Sequence, residues 1–135
     1  MLDEPAAAAV EGELRNPACG SRISAINLAE IVDVTIRVFE QAPDHVRAAL
    51  ELLEAGGLEV VPVDGDIGIE AGRLHARFHD RRTSPLSMAD CVALASAMSL
   101  SEPLATSDPP LAAAARAVGV VVLQLPAARG RSPAT

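Results

Sequence analysis

The sequence contains no lysine, tryptophan or tyrosine, and its only phenylalanines are Phe39 and Phe78. All eleven basic residues are therefore arginines, which excludes a P-loop, a Schiff-base enzyme and any acidic pocket completed by a lysine. A Gly-x-Gly-x-x-Gly segment is also missing, which argues against a dinucleotide site. Because half of the residues are hydrophobic but almost none are aromatic, the core must consist of Ala, Leu, Val and Ile.

Cysteine is scarce as well. Cys19 and Cys91 are isolated and lack metal-ligand spacing. We interpret them as small packing residues in a reducing compartment, in preference to a disulfide or a reactive thiol. No apolar run approaches the ~20 residues that a membrane span needs, and no secretion signal is visible. The sequence thus predicts a cytoplasmic protein without membrane contact.

Length and charge narrow the class of protein further. The 135 residues suffice for one domain with a single apolar core, which we predict over residues 1–126. Residues 127–135 are rich in Ala, Arg, Gly, Ser and Pro and are predicted to be a disordered tail. A net charge of -7 argues against a protein that coats nucleic acid by electrostatics alone.

Hydrophobic periodicity predicts strands that alternate with helices. Predicted helices cover residues 5–15, 27–40, 43–55, 67–79, 87–99 and 109–118. Predicted strands cover residues 22–26, 58–63, 104–106 and 120–123. Such alternation is typical of an α/β fold with a parallel, doubly wound sheet flanked by helices.

Three acidic residues share one local setting. Glu30, Asp90 and Asp108 each lie where a predicted helix begins. In an open α/β sheet, ligands bind beyond the carboxyl ends of the strands, so carboxylates there can converge on a divalent cation. The alternative is purely structural, because Asn27-x-x-Glu30 and Ser87-x-x-Asp90 are capping-box patterns and Asp108 before Pro109 is a natural N-cap.

Three segments in order resemble the motifs of one known family. Ile23-Ser24-Ala25-Ile26-Asn27-Leu28-Ala29-Glu30 resembles the second motif of PIN-domain ribonucleases, specifically of VapC-type toxins from bacterial toxin–antitoxin pairs. Ser84-Pro85-Leu86-Ser87-Met88-Ala89-Asp90-Cys91 resembles their third motif. Leu104-Ala105-Thr106-Ser107-Asp108 resembles their fourth. Order and spacing agree from about residue 2 to residue 126.

The resemblance implies a three-layer PIN-like fold and an endoribonuclease activity. Mg²⁺ or Mn²⁺ would be held by Glu30, Asp90 and Asp108, and a metal-activated water would cleave the RNA. Asn27 and Thr106 lie beside these acids and would orient a ligand or a water. The resemblance further implies a homodimer that a cognate antitoxin protein neutralises.

The chain departs from the family pattern at its start. The pattern opens with a central apolar strand that ends in Asp, and no such segment precedes Leu2-Asp3-Glu4-Pro5. Asp3 does not replace the missing acid, because it follows no strand. We expect either that Met1 is a misplaced start or that the gene is a decaying remnant. Two alternative functions follow: a catalytically inactive PIN module that only binds an antitoxin, and an unrelated α/β binding protein whose acids are caps.

Basic residues cluster before the third motif. Arg73, Arg77 and Arg81 are spaced by four, which places them on one face of the predicted helix, and Arg82 adjoins them. They form either a track for RNA phosphates or a solvated face that pairs with Glu70 and Asp80.

Two histidines have the same spacing. His75 and His79 are a possible metal pair, but no third ligand motif accompanies them. A surface or half-buried position is therefore the favoured interpretation. Asp64 and Asp66, which follow a predicted strand, are interpreted as turn and cap residues.

Overall fold

The computed structural model describes residues 22–126. The described residues divide into two compact units, the first over residues 22–61 with Pro126 and the second over Pro62–Leu125. The helix predicted at residues 5–15 and the tail predicted at residues 127–135 lie outside the described residues.

The first unit contains one parallel strand pair joined by two helices. Strand β1 (Arg22–Ser24) is followed by helices α1 (Ala25–Arg37) and α2 (Pro43–Ala55) and by strand β2 (Glu59–Val61). Ile23 lies opposite Val60 in the parallel register. Parallel strands need a long crossover, which the two helices supply.

Helix α1 begins earlier than the sequence predicts. Ser24 is its N-cap, because the Ser24 hydroxyl accepts a hydrogen bond from the Asn27 N–H at 3.2 Å. The prediction that Asn27 and Glu30 form a capping box is therefore wrong, since both residues lie inside the helix. The serine hydroxyl satisfies a free amide three residues on, which ends the strand at residue 24 instead of residue 26.

The second unit contains the other strand pair and three helices. Its elements are α3 (Gly65–Phe78), α4 (Met88–Leu100), β3 (Leu104–Thr106), α5 (Pro109–Ala117) and β4 (Val122–Gln124). Ala105 lies opposite Leu123 in a parallel register. Asp64 caps α3 by accepting the Ile67 N–H at 2.9 Å, so its predicted role as a cap is confirmed.

Helix α4 forms the centre of this second unit. Leu94 is completely buried, and Cys91 is almost so. The residues of α4 are mostly apolar around its whole circumference, which is the pattern of a core helix and not of an amphipathic surface helix. The prediction that Cys91 is a small packing residue is confirmed, and burial, followed by the neighbouring Asp90 charge, raises the pKa of its thiol. Cys19 lies outside the described residues.

The α/β class with parallel strands is confirmed, but the described strands form two separate pairs instead of one sheet. Each pair is closed by a helical crossover within its own unit, which supplies each three-residue strand with one hydrogen-bonded neighbour. Among the described residues, no helix is both long and apolar enough to cross a membrane.

Candidate functional site

Asp90 is held at the first turn of α4 by a reciprocal capping box. The Ser87 hydroxyl accepts the Asp90 N–H at 3.0 Å, and Asp90 Oδ2 accepts the Ser87 N–H at 3.2 Å. The capping box predicted for this motif is thus present. It engages one oxygen of the half-buried carboxylate and fixes the orientation of the whole group.

Asp108 is itself the N-cap of α5, two residues after the end of β3. Asp108 Oδ2 accepts the Leu111 N–H at 3.2 Å. Pro109 and Pro110 lack N–H groups, so Leu111 provides the first amide that a cap can satisfy. The predicted N-cap is therefore observed, again with one carboxylate oxygen.

Thr106 lies beside Asp108 and is buried. Its hydroxyl oxygen Oγ1 accepts the backbone N–H of Asp108 at 3.0 Å. The threonine therefore fixes the backbone of Asp108. The sequence predicted only that Thr106 supports the site, without specifying this hydrogen bond.

Glu30 lies in the first unit, on the second turn of α1, where its side chain is exposed. The neighbouring Asn27 is half-buried and donates its backbone N–H to Ser24. Among residues 22–126 there is no group of three or more His, Cys, Asp or Glu side chains that can hold a metal ion. Within the described residues, two of the three predicted acids, Asp90 and Asp108, thus have oriented carboxylates and lie in the same unit.

The donor chemistry of these acids suits a hard divalent cation. Mg²⁺ and Mn²⁺ prefer carboxylate oxygens, and Mg²⁺ takes one or two carboxylates together with waters and substrate phosphates. Because the caps at Asp90 and Asp108 each engage a single oxygen, capping and metal binding are compatible at both residues.

The predicted arginine track is only partly helical. Arg73 pairs with Glu70 at 3.8 Å, and the Arg77 guanidinium lies 4.6 Å from the centre of the Phe78 ring. Arg81 does not share their helix face, because α3 ends at Phe78. All four arginines, Arg82 included, are exposed. The Glu70 pair was anticipated, whereas Asp80 accepts a backbone N–H of Arg82 and not its guanidinium.

His75 and His79 stack face to face. Their ring centres lie 4.3 Å apart with an angle of 18° between the planes. Imidazole lone pairs lie in the ring plane, so stacked rings do not direct them at one ion. Both residues are half-buried, which confirms the favoured interpretation. His79 Nδ1 accepts the backbone N–H of Leu86 at 3.0 Å.

The segment between α3 and α4 is more ordered than the polar loop that the sequence predicts. Asp80 Oδ1 accepts the N–H groups of Arg82 and Thr83, both at 2.9 Å. The backbones of Asp80 and Ser84 exchange two hydrogen bonds at 3.0 Å. An aspartate that begins a polar turn was the available signal for this arrangement, because its side chain can accept amides two and three residues on.

Asp80 is expected to make this turn sensitive to acid. The Thr83 and Arg82 amides, in that order, hold the pKa of Asp80 below its usual value. The stabilisation is therefore complete above the unfolded pKa of about 3.9 and is lost as the pH falls through the lower folded pKa. Amide exchange at Thr83, followed by NMR from about pH 5 downwards, should show this loss. In Asp80→Asn, whose amide oxygen accepts without titrating, the change should vanish; an identical pH response in both proteins would contradict the assignment.

The strands, helices and caps define an α/β chain that mounts the acidic side chains of Asp90 and Asp108 at helix N-termini, the second of them after a parallel strand. Comparison with protein families identifies the class: the model of the PIN domain matches residues 1–117. The chain therefore belongs to the PIN-domain family. PIN domains are generally nucleases, and these nucleases usually use divalent metal ions. A comparison with curated proteins found no match.

Proposed function

We propose that this protein is a VapC-like endoribonuclease that uses Mg²⁺ or Mn²⁺. The observation that carries the proposal is the PIN-domain match, which spans all three predicted motifs. Glu30, Asp90 and Asp108 are the proposed metal ligands, and Asn27 and Thr106 are supporting residues.

The capped acids support this assignment. A helix N-terminus carries a partial positive charge from its free amides, which stabilises carboxylates and also phosphates. Asp90 and Asp108 hold fixed orientations at two such positions of one unit. Ligands that are already oriented lose little conformational freedom when they bind an ion.

A bound divalent ion would lower the pKa of a water and neutralise charge on the phosphoryl oxygens. Binding of the RNA would fall to side chains of the protein. Arg73, Arg77, Arg81 and Arg82 are exposed and are proposed to contact RNA phosphates. Because the chain carries a net charge of -7, such contacts must be local and not a general attraction for RNA.

The partners follow from the same family likeness. We propose a homodimer whose activity is neutralised by an antitoxin encoded beside it. The three proposed ligands all belong to one chain, so the nuclease assignment can be tested on the isolated protein.

A second candidate is a catalytically inactive PIN domain that binds only the antitoxin. It is favoured by one observation, namely that residues 22–126 contain no group of three potential metal ligands. The remaining alternative, an unrelated α/β binding protein, is excluded by the family match.

Metal dependence separates the two candidates. The purified 135-residue protein is incubated with a fluorescently labelled RNA in Mg²⁺, in Mn²⁺ and in excess EDTA, and binding of Mn²⁺ is measured by calorimetry. The nuclease is expected to bind Mn²⁺ and to cleave RNA only with metal present. Neither binding nor cleavage would support the inactive module, and cleavage that EDTA leaves intact would contradict the metal-dependent mechanism.

A further inference from the structure

The segment that precedes Asp90 is tied at both ends by side chains. Two consecutive amides point to different acceptors: the Leu86 N–H donates to His79 Nδ1 at 3.0 Å, and the Ser87 N–H donates to Asp90 Oδ2 at 3.2 Å. The peptide between these amides is thereby held on one side by the end of α3 and on the other by the first turn of α4.

The rest of the segment has little freedom. Asp80 holds the amides of Arg82 and Thr83, and Asp80 and Ser84 are paired through their backbones. Pro85 has a fixed φ and no N–H. Leu86 itself is buried, with only 4% of its surface exposed. Its amide must find a partner inside the protein, because a buried N–H without one is costly.

His79 is well suited to be that partner. Its stacking on His75 restricts the rotation of the imidazole ring and so directs Nδ1 at Leu86. An imidazole nitrogen that accepts a hydrogen bond is unprotonated, so the proton of the neutral ring is on Nε2. The contact joins residues seven positions apart, across the turn that connects α3 to α4.

From this chain of contacts we infer that His79 is a positioning residue for Asp90. Through Nδ1 it fixes Leu86 and the adjacent Ser87, whose amide donates to the Asp90 carboxylate and whose hydroxyl accepts the Asp90 N–H. The consequence for metal binding rests on the proposed function, in which Asp90 is a ligand. Residues that orient metal ligands typically affect metal affinity by about 10- to 100-fold when they are replaced.

Two substitutions of His79 distinguish Nδ1 from the remainder of the ring. In His79→Asn the amide oxygen can occupy the place of Nδ1 and accept the Leu86 N–H. In His79→Gln the polar group corresponds in position to Nε2, so the acceptor at Nδ1 is lost. One control accompanies them: Val92→Ala removes two methyl groups from the buried core of α4 and leaves His79 and its Nδ1 acceptor unchanged.

The first measurement needs neither metal nor RNA. Amide hydrogen exchange by NMR is expected to be faster at Leu86 and Ser87 in His79→Gln, by about 10-fold, the factor that corresponds to loss of one ordinary hydrogen bond. His79→Asn and Val92→Ala should retain the protection of the wild type at these two amides relative to the rest of α4. Equal protection in all variants, or equal loss in His79→Asn and His79→Gln, would overturn the role of Nδ1.

The second measurement is the affinity for Mn²⁺, determined well below the unfolding temperature of each variant. His79→Gln should bind Mn²⁺ at least about 10-fold more weakly than the wild type. His79→Asn and Val92→Ala should bind Mn²⁺ with the affinity of the wild type. Unchanged affinity in His79→Gln beside measurable wild-type binding would overturn the inference. If the wild type binds no Mn²⁺, the proposed function fails, and the exchange data alone decide whether His79 positions Asp90.

Discussion

Replacing Asp90 by Asn is expected to lower the rate of the proposed metal-dependent RNA cleavage by at least about 100-fold, because loss of a proposed metal ligand would forfeit several kcal/mol of transition-state stabilisation. The fold should survive the change. Asparagine presents an amide oxygen that can still accept the Ser87 N–H, so the capping box at the start of α4 can persist. Initial rates on a labelled RNA, with Mg²⁺ or Mn²⁺ in excess, measure the effect.

The control for this prediction is Asp66→Asn. Asp66 also lies in the first turn of a helix, and its replacement removes the same charge at a residue assigned no part in the site. Its cleavage rate should equal that of the wild type. If the two variants cleave RNA equally well, Asp90 is a cap and nothing more, and the metal site proposed around it is wrong.

The largest effect on stability is expected at Leu94. This residue is completely buried in α4, the helix that other elements of the second unit surround. Leu94→Ala removes apolar contacts and leaves a cavity, which costs about 2–5 kcal/mol of unfolding free energy. Chemical denaturation followed by circular dichroism gives the value directly.

Leu52→Ala provides the comparison. Leu52 also lies within a helix, but 75% of its surface is exposed, so the same substitution should change stability by no more than about 0.5 kcal/mol. Should Leu94→Ala prove as mild as Leu52→Ala, α4 would not be the core helix of its unit.

Local signals in the sequence predicted the caps at the two acids correctly. Ser87 and Asp90 are three residues apart, and Asp108 stands directly before two prolines, so each cap depends on a few neighbouring residues. The same kind of reasoning failed at Asn27, because Ser24 is an equally good local cap and begins the helix three residues earlier. Choosing between these two candidate N-caps requires knowing which residues of the strand are paired, and the pairing is decided by tertiary structure.

The contacts around the third motif were harder to predict from the sequence. The polar composition of residues 80–86 predicts a loop but does not specify which amides Asp80 and His79 accept. Likewise, spacing by four placed Arg81 on the face of a helix that in fact ends at Phe78. Periodicity describes the faces of regular elements, and it carries no information once the chain leaves them.

By itself, the sequence determined the types and order of the elements over residues 22–126, the caps at Asp90 and Asp108, and the likeness to PIN domains, because all of these depend on residues close together in the chain. Tertiary structure alone decided the division of the described strands into two parallel pairs, the burial of α4 on all sides, and the hydrogen bond from Leu86 to His79. These features depend on which distant segments exclude water from one another, and that is settled only when the helices pack.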